Sequence, residues 1–342
     1  MKIKVVLFSI IIFILNIISL KAQKFLNETW NYKIDIELID SSLLVNLNIK
    51  ITKAETGRKD FFLFNRYIQI EEALLDDKPL IFTRTNDTVF FESFQKKEIA
   101  LFMKYRIPCS LTESSKIIAS YSDSIYAYPV LIDTSQIFCE RFNKWYPVLY
   151  DNFANYEVTI IVPPLYKVFA YYPENYRNEI DGKIAYSFNY YDEDFPFFIT
   201  PTNIFYQHKV IQHNNIIYEF YFLPRPRRLV SLKDNKPVFV SDSTRIDSLL
   251  SNSVNRSIAV IEWYNANLWQ KEIKTLSFIE TGILGLGAGL GSFILMDRIL
   301  MNMEAIDKFA ISHELSHIWL GIHTEYSAKG KFFMGESLPE YI

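Results

Sequence analysis

His313-Glu314-Leu315-Ser316-His317 is the stretch that decides how the rest of the chain reads. On an α-helix, residues four apart project from one face, so both imidazoles can reach a single Zn²⁺ at about 2.0–2.1 Å. Glu314 follows His313 directly and is angled toward the same cleft, where a carboxylate can take a proton from water. The alternative is a pair of unconnected histidines with an unrelated glutamate between them. His323 falls outside the ligand spacing and reads as a surface residue or a supporting neighbour.

The helix carrying this motif should span about residues 303–320. Just upstream, five of the ten glycines (Gly282, Gly285, Gly287, Gly289, Gly291) fall within one ten-residue stretch. They lie inside sixteen uncharged residues, Thr281 to Met296, which is short for a membrane span. The Gly-x-Gly spacing is not followed by the Gly-Lys-Ser/Thr of a phosphate loop. The reading that remains is a loop leading into an edge strand beside a cleft, with a further strand at Ser292 to Met296. Glycine there lets another backbone, such as a bound peptide, approach closely.

Further upstream, Ile246, Leu249, Leu250, Val254, Ile258 and Ile261 recur at three- and four-residue spacing, which predicts an amphipathic helix capped by Asp242 or Ser243. Thr275 to Ile279 reads as a short strand. From Phe25 to Pro224 the pattern is strand-like instead. Val45, Leu47, Ile49 and Ile51 alternate with polar residues, and Asn86-Asp87 is a hairpin turn between two β-runs. Further runs at Ile99–Ile107, Tyr156–Val162, Lys183–Tyr191 and Ile216–Phe222 suggest an antiparallel sandwich or saddle. Strand-rich then helix-rich order argues for two domains of different class, with the boundary near 205–235. The length of 342 residues agrees with about two domains.

Residues 1–22 read as a secretory signal: Lys2 and Lys4 precede an apolar run from Val5 to Leu20, and Ala22 offers a cleavage site. An uncleaved N-terminal anchor is the competing reading. Cleavage removes Lys2, Lys4 and Lys21 and no acids, taking the charge from −3 to −6, so nothing favours nucleic-acid binding. Cys109 and Cys139 lie in the exported part, where either one disulfide or two separate buried thiols is possible. Neither has metal or redox spacing.

With eighteen residues between His317 and Glu336, the sequence resembles the gluzincin metallopeptidases of the aminopeptidase N family, whose signature is His-Glu-x-x-His, eighteen residues, then Glu. Trp319 and Gly321 match the Trp and Gly after the family's second His, and Gly335 to Tyr341 is similar to its Asn-Glu-Gly-Phe/Leu-Ala-x-Tyr segment. Upstream, Glu140-Arg141 through Trp145-Tyr146-Pro147 and the strand ending Val162-Pro163 are similar to its N-terminal β-domain. The resemblance implies His313, His317 and Glu336 as ligands to one zinc ion per chain, and Glu314 as general base. It implies a multidomain chain: signal peptide 1–22, all-β sandwich or saddle domain 23–215, and the first part of an α+β thermolysin-like catalytic domain over 216–342.

The family's cleft-edge strand carries Gly-Ala-Met-Glu-Asn, and its Glu holds the substrate's free amino terminus. The corresponding substrate-binding stretch here is Gly287-Ala288-Gly289-Leu290, with Leu290 where that Glu stands. Glu280 and Asp297 are the nearby acids that could substitute. Ile342 comes six residues after Glu336, so the expectation is an N-terminal fragment of a longer enzyme. The chemistry implied is an exported (periplasmic, secreted or membrane-anchored) zinc metallopeptidase, hydrolysing peptide bonds in a peptide or protein substrate by zinc-activated water. Membrane contact would come only through an uncleaved N-terminal segment. The rival is a non-catalytic envelope binding or scaffold protein that keeps the fold.

Overall fold

The computed structural model describes residues 29–52, 60–91, 96–109, 130–133, 136–140, 143–148, 153–171, 174–192, 194–205, 207–223, 229–230, 237–238, 243–267, 273–281, 287–297 and 312–319. The signal-like segment, the glycines at 282 and 285, Gly321, His323 and Glu336 lie outside the described residues.

The chain opens with strands β1 (Thr29–Ile39), β2 (Ser42–Thr52), β3 (Asp60–Leu63), β4 (Gln69–Leu75), β5 (Lys78–Pro79), β6 (Phe82–Thr85), β7 (Thr88–Phe91) and β8 (Glu98–Pro108). It continues through β9 (Leu131–Asp133), β10 (Gln136–Cys139), β11 (Ala154–Val162), β12 (Tyr166–Ala170), β13 (Tyr176–Ile180), β14 (Lys183–Asp192) and β15 (Phe197–Pro201). These form an eight-stranded sheet in the order β13-β14-β11-β1-β2-β8-β4-β5, a four-stranded sheet β12-β15-β10-β9 and a three-stranded sheet β3-β7-β6. Period-two alternation puts Ile34, Ile36, Val45, Leu47, Leu101 and Met103 on one buried face, each at most 1% exposed. Register delivers them to one another: Ile34 opposes Leu47 and Ile36 opposes Val45. Within these three sheets the expected antiparallel character holds except that β1 pairs β11 in parallel, Ile34 opposite Val158.

Tight hairpins use residues that tolerate the left-handed region. Asp76-Asp77 and Asn214-Asn215 both have positive φ at both positions, as type I′ turns require. The predicted Asn86-Asp87 turn joins β6 to β7, with Asn86 at φ 53°.

After β15 a second sheet begins: β16 (Gln207–His213), β17 (Ile216–Phe222), β20 (Thr275–Thr281), β21 (Gly287–Leu290) and β22 (Phe293–Asp297), in the order β16-β17-β20-β22-β21. Residues 215 and 216 fall at the end of the β16–β17 turn, so both strands of that hairpin share this sheet. Between β17 and β20 come a short pair, β18 (Leu229–Val230) and β19 (Pro237–Val238), and helix α1 (Ser243–Asn267), near the helix expected from Asp242. The parallel β17–β20 pairing needs such a crossover. Helix α2 is described over residues 312–316, and 303–311 of the expected helix lie outside the described residues. The described chain is thus mostly β-sheet with few helices. None of the described helices is long and apolar enough to cross a membrane.

The two faces of this second sheet have different partners. Tyr218, Phe220, Phe278, Ile294 and Met296 pack on Ile261 and Tyr264 of α1 and on Leu315, Ile318 and Trp319 at α2. Tyr221, Ile279, Phe293 and Leu295 pack on Phe138, Phe169 and Phe198 of the four-stranded sheet. Polar contacts reinforce that second junction. Lys167 Nζ donates to Glu219 Oε2 at 3.1 Å and to the Tyr221 hydroxyl, while Ser277 Oγ donates to the same carboxylate oxygen at 3.1 Å. The structure carries Cys109 and Cys139 as free thiols, and burial pushes Cys109 up to about 12.

Candidate metal centre

The motif is helical because its apolar and polar positions separate cleanly. Leu315 and Trp319 are fully buried and Ile318 nearly so, all turned toward the second sheet. That leaves His313, Glu314 and His317 together on the adjoining part of the helix. The helix tightens and stops here: Ile318 N–H donates to Leu315 O at 3.1 Å and Trp319 N–H to Ser316 O at 2.9 Å.

The three candidate ligand atoms lie within 4.8 Å of one another. His313 Nε2 and His317 Nε2 are 3.2 Å apart, their rings nearly perpendicular at 89°. Glu314 Oε2 is 4.0 Å from His317 Nε2, and the residue is 7% exposed. Two nitrogens at zinc bonding distance in a tetrahedral shell are separated by about 3.3 Å, so the imidazoles already hold the spacing that one metal ion demands. Both histidines are incompletely buried, with the His317 side chain 12% exposed.

Two supports behind the motif have no spacing signal in the sequence. Ser316 is fully buried and its hydroxyl donates to His313 O at 2.6 Å, tying the turn that carries the first imidazole. Tyr264 of α1 stacks on Trp319 with ring centroids 4.8 Å apart and planes at 16°. Burial raises the Tyr264 hydroxyl above its usual value, against a hydrogen bond to Ser316. The long amphipathic helix thereby clamps the short metal-motif helix.

The glycine-rich stretch arrives beside this helix. β21 is the terminal strand of its sheet among the described residues. Gly289 opposes Ile294 and so shares its helix-side face, while Ala288 and Leu290 oppose Leu295 and Phe293. A Cβ on Gly289 would overlap the Glu314 carbonyl oxygen and lie 2.6 Å from its carbonyl carbon. Close backbone approach is thus the reason for glycine at 289, and the backbone it meets is the metal helix itself. Ala288 and Leu290 pack instead against the aromatic junction with the four-stranded sheet. Of the acids that could substitute at this wall, Glu280 is fully buried and its Oε2 accepts the Leu223 N–H at 2.9 Å. The Asp297 side chain lies outside the described ones.

No protein-family model matches the chain, and no curated protein sequence does. Solved structures do resemble it. The chain is similar to an M1 zinc metallopeptidase from Deinococcus radiodurans, with TM-score 0.61 and 9% identity over 92% of this chain and 69% of that one. A mutant of that enzyme bound to a Tyr-Ser-Ala substrate gives TM-score 0.60 and 10% identity, with the same coverage. A two-domain M1 zinc metallopeptidase mutant bound to L-tryptophan gives TM-score 0.59 at 10% identity, over 92% of this chain and 70% of that one. The likeness shows a shared fold, running through both the β-rich part and the second sheet.

Proposed function

We propose that this chain is an exported zinc metallopeptidase, with His313, His317 and Glu336 holding the ion and Glu314 acting as general base. The observation that carries the reading is the 3.2 Å approach of His313 Nε2 to His317 Nε2 beside the Glu314 carboxylate. The shared fold with M1 zinc metallopeptidases supports it. Over 216–342 the reading is a thermolysin-like catalytic domain.

When bound, zinc supplies a Lewis acid that polarises the scissile carbonyl and brings the pKa of water toward about 7. The chain's own groups do the rest. Glu314 accepts the proton of the attacking water and returns it to the leaving amine, work worth about 10²–10⁴-fold in rate. Ser316 and Trp319 fix the turn so that the two imidazoles stay convergent. The outer edge of β21, Gly287-Ala288-Gly289-Leu290, offers backbone groups along which an extended peptide can pair. No residue of β21 carries a charge to meet an ammonium group, so the peptidase proposed is aminopeptidase-like without that acid on its edge strand.

The test is Glu314→Gln, which keeps the side chain's volume and removes its basicity. Hydrolysis of a peptide library should fall by at least about a hundredfold while one zinc per chain remains. Unchanged turnover, or a wild-type chain that binds no zinc, would overturn the reading.

A further inference from the structure

Strand β21 pairs with β22, and the turn that joins them is also tied to the end of β12 in the β-rich part. Gly291, in the turn between β21 and β22, has φ 58°, and a Cβ there would overlap the Tyr171 carbonyl oxygen and lie 2.8 Å and 2.9 Å from two atoms of its ring. The next residue locks the contact. Ser292 N–H donates to Tyr171 O at 3.1 Å, and Ser292 Oγ donates to Ala170 O at 2.9 Å. On its other side Ser292 O accepts the Ser277 N–H at 3.0 Å, tying the same turn to β20. Ala170 opposes Phe197 on β15, and Tyr171 N–H donates to Pro196 O, so the receiving carbonyls belong to the four-stranded sheet.

Four residues link two distant parts. Tyr171 and Ser292 pin one end of β21, and two residues before the pinned turn Gly289 lies against the peptide group of Glu314. A strand of only four residues, Gly287–Leu290, held at its turn and touching a helix near its middle, has little freedom to change its distance from that helix. We infer that Ser292 is a positioning residue. Through its two hydrogen bonds to Ala170 and Tyr171, the β-rich part sets where the β21 edge stands relative to the His313–His317 turn. The inference rests on the peptidase reading for its kinetic consequence, because β21 is there the strand that an extended substrate pairs with. Its structural content stands apart from that reading.

The experiment compares the wild-type chain with Ser292→Ala and Ser292→Thr, the second keeping a hydroxyl for Ala170 O. Three quantities are measured: zinc per chain, amide hydrogen exchange, and steady-state peptide hydrolysis. Ser292→Ala should leave zinc content and exchange in β1 and β2 unchanged. It should speed exchange at 287–290 by about fivefold, the scale of one lost hydrogen bond. KM should rise about fivefold with kcat within about twofold, since strand placement governs binding before chemistry. Ser292→Thr should restore both. Exchange at 287–290 and KM both unmoved in Ser292→Ala overturn the inference, as does failure of Ser292→Thr to restore them. If the wild-type chain cleaves no peptide, the peptidase reading falls, and the exchange comparison alone decides the role of Ser292.

Discussion

Gly289 and Glu314 meet backbone to backbone: a Cβ on Gly289 would stand 2.6 Å from the Glu314 carbonyl carbon and 2.9 Å from its Cα. Neither neighbour is the free end of a side chain, so an added methyl group must push strand and helix apart. Gly289→Ala should lower stability by about 1–3 kcal/mol in urea denaturation. It should also reduce kcat/KM at least tenfold, because the displaced partner carries the proposed general base. Gly182→Ala is the control. Gly182 has φ 73° but nothing within 4 Å of a Cβ, so that variant should cost only the strain of its turn, about 1 kcal/mol, with peptide hydrolysis unchanged.

The stacked pair Tyr264–Trp319 couples α1 to the short metal-motif helix. Trp319 is fully buried, and Trp319→Ala should cost about 3–5 kcal/mol. Zinc affinity should weaken alongside, since the turn at 317–319 loses its packing; competition with a chelator measures this. Trp319→Phe should recover most of both losses. A Trp319→Ala chain with wild-type zinc affinity would show that the imidazoles are placed by the helix alone.

Much of this arrangement is legible in the sequence. Alternation in Val45 to Ile51 marks β2, and the i, i+4 histidines mark a helix, because both patterns report burial with a fixed period. Partner choice has no such period. Ile34 opposite Val158 in parallel, and Lys167 reaching Glu219 fifty-two positions away, depend on topology that residue spacing does not encode. The glycines were legible as a site of close approach. What approaches Gly289, namely the peptide group of Glu314, and what receives Gly291, namely Tyr171, became visible only once the strand and helix were in place. Ser292 and Ser316 carried no signal, since each acts through a hydroxyl bonded to a carbonyl that any residue could offer.

Lys167 and Glu219 predict how the chain responds to acid. Burial pushes the Glu219 carboxyl up, but the Lys167 ammonium and hydrogen bonds from Lys167, Ser277 and Tyr221 outweigh it and hold the group below its usual 4.5. A carboxylate depressed in the folded state contributes stability above its unfolded value, and this is lost as pH falls through the folded value. His208, stacked on Tyr221 at 4.2 Å, is held below 6.5 chiefly by burial, and its protonation in acid adds a loss in the same direction. Lys167→Met should cost about 1–3 kcal/mol at pH 7 by stranding the carboxylate. That cost should shrink as pH falls and Glu219 takes up a proton, so the acid-side decline of urea-denaturation stability should be shallower than in the wild type.

Glu140 acts with the opposite sign, on the alkaline side. Burial pushes its carboxyl from 4.5 up to about 8, and the negative charge of Asp194 adds to the effect. Asp194 Oδ1 accepts the Tyr146 hydroxyl at 2.9 Å and the Phe195 N–H at 2.6 Å. Between those two pH values the folded chain retains a proton on Glu140 that the unfolded chain has released. Stability therefore falls with rising pH by at most about 1.4 kcal/mol per pH unit, and levels off above about pH 8. Glu140→Gln is neutral at every pH and nearly the same size, so it should abolish this decline, matching the wild type near pH 4.5 and exceeding it at pH 9. Urea denaturation across that range measures both curves. Parallel slopes for the two chains would mean that Glu140 ionises normally in the fold and that the Asp194 charge does not reach it.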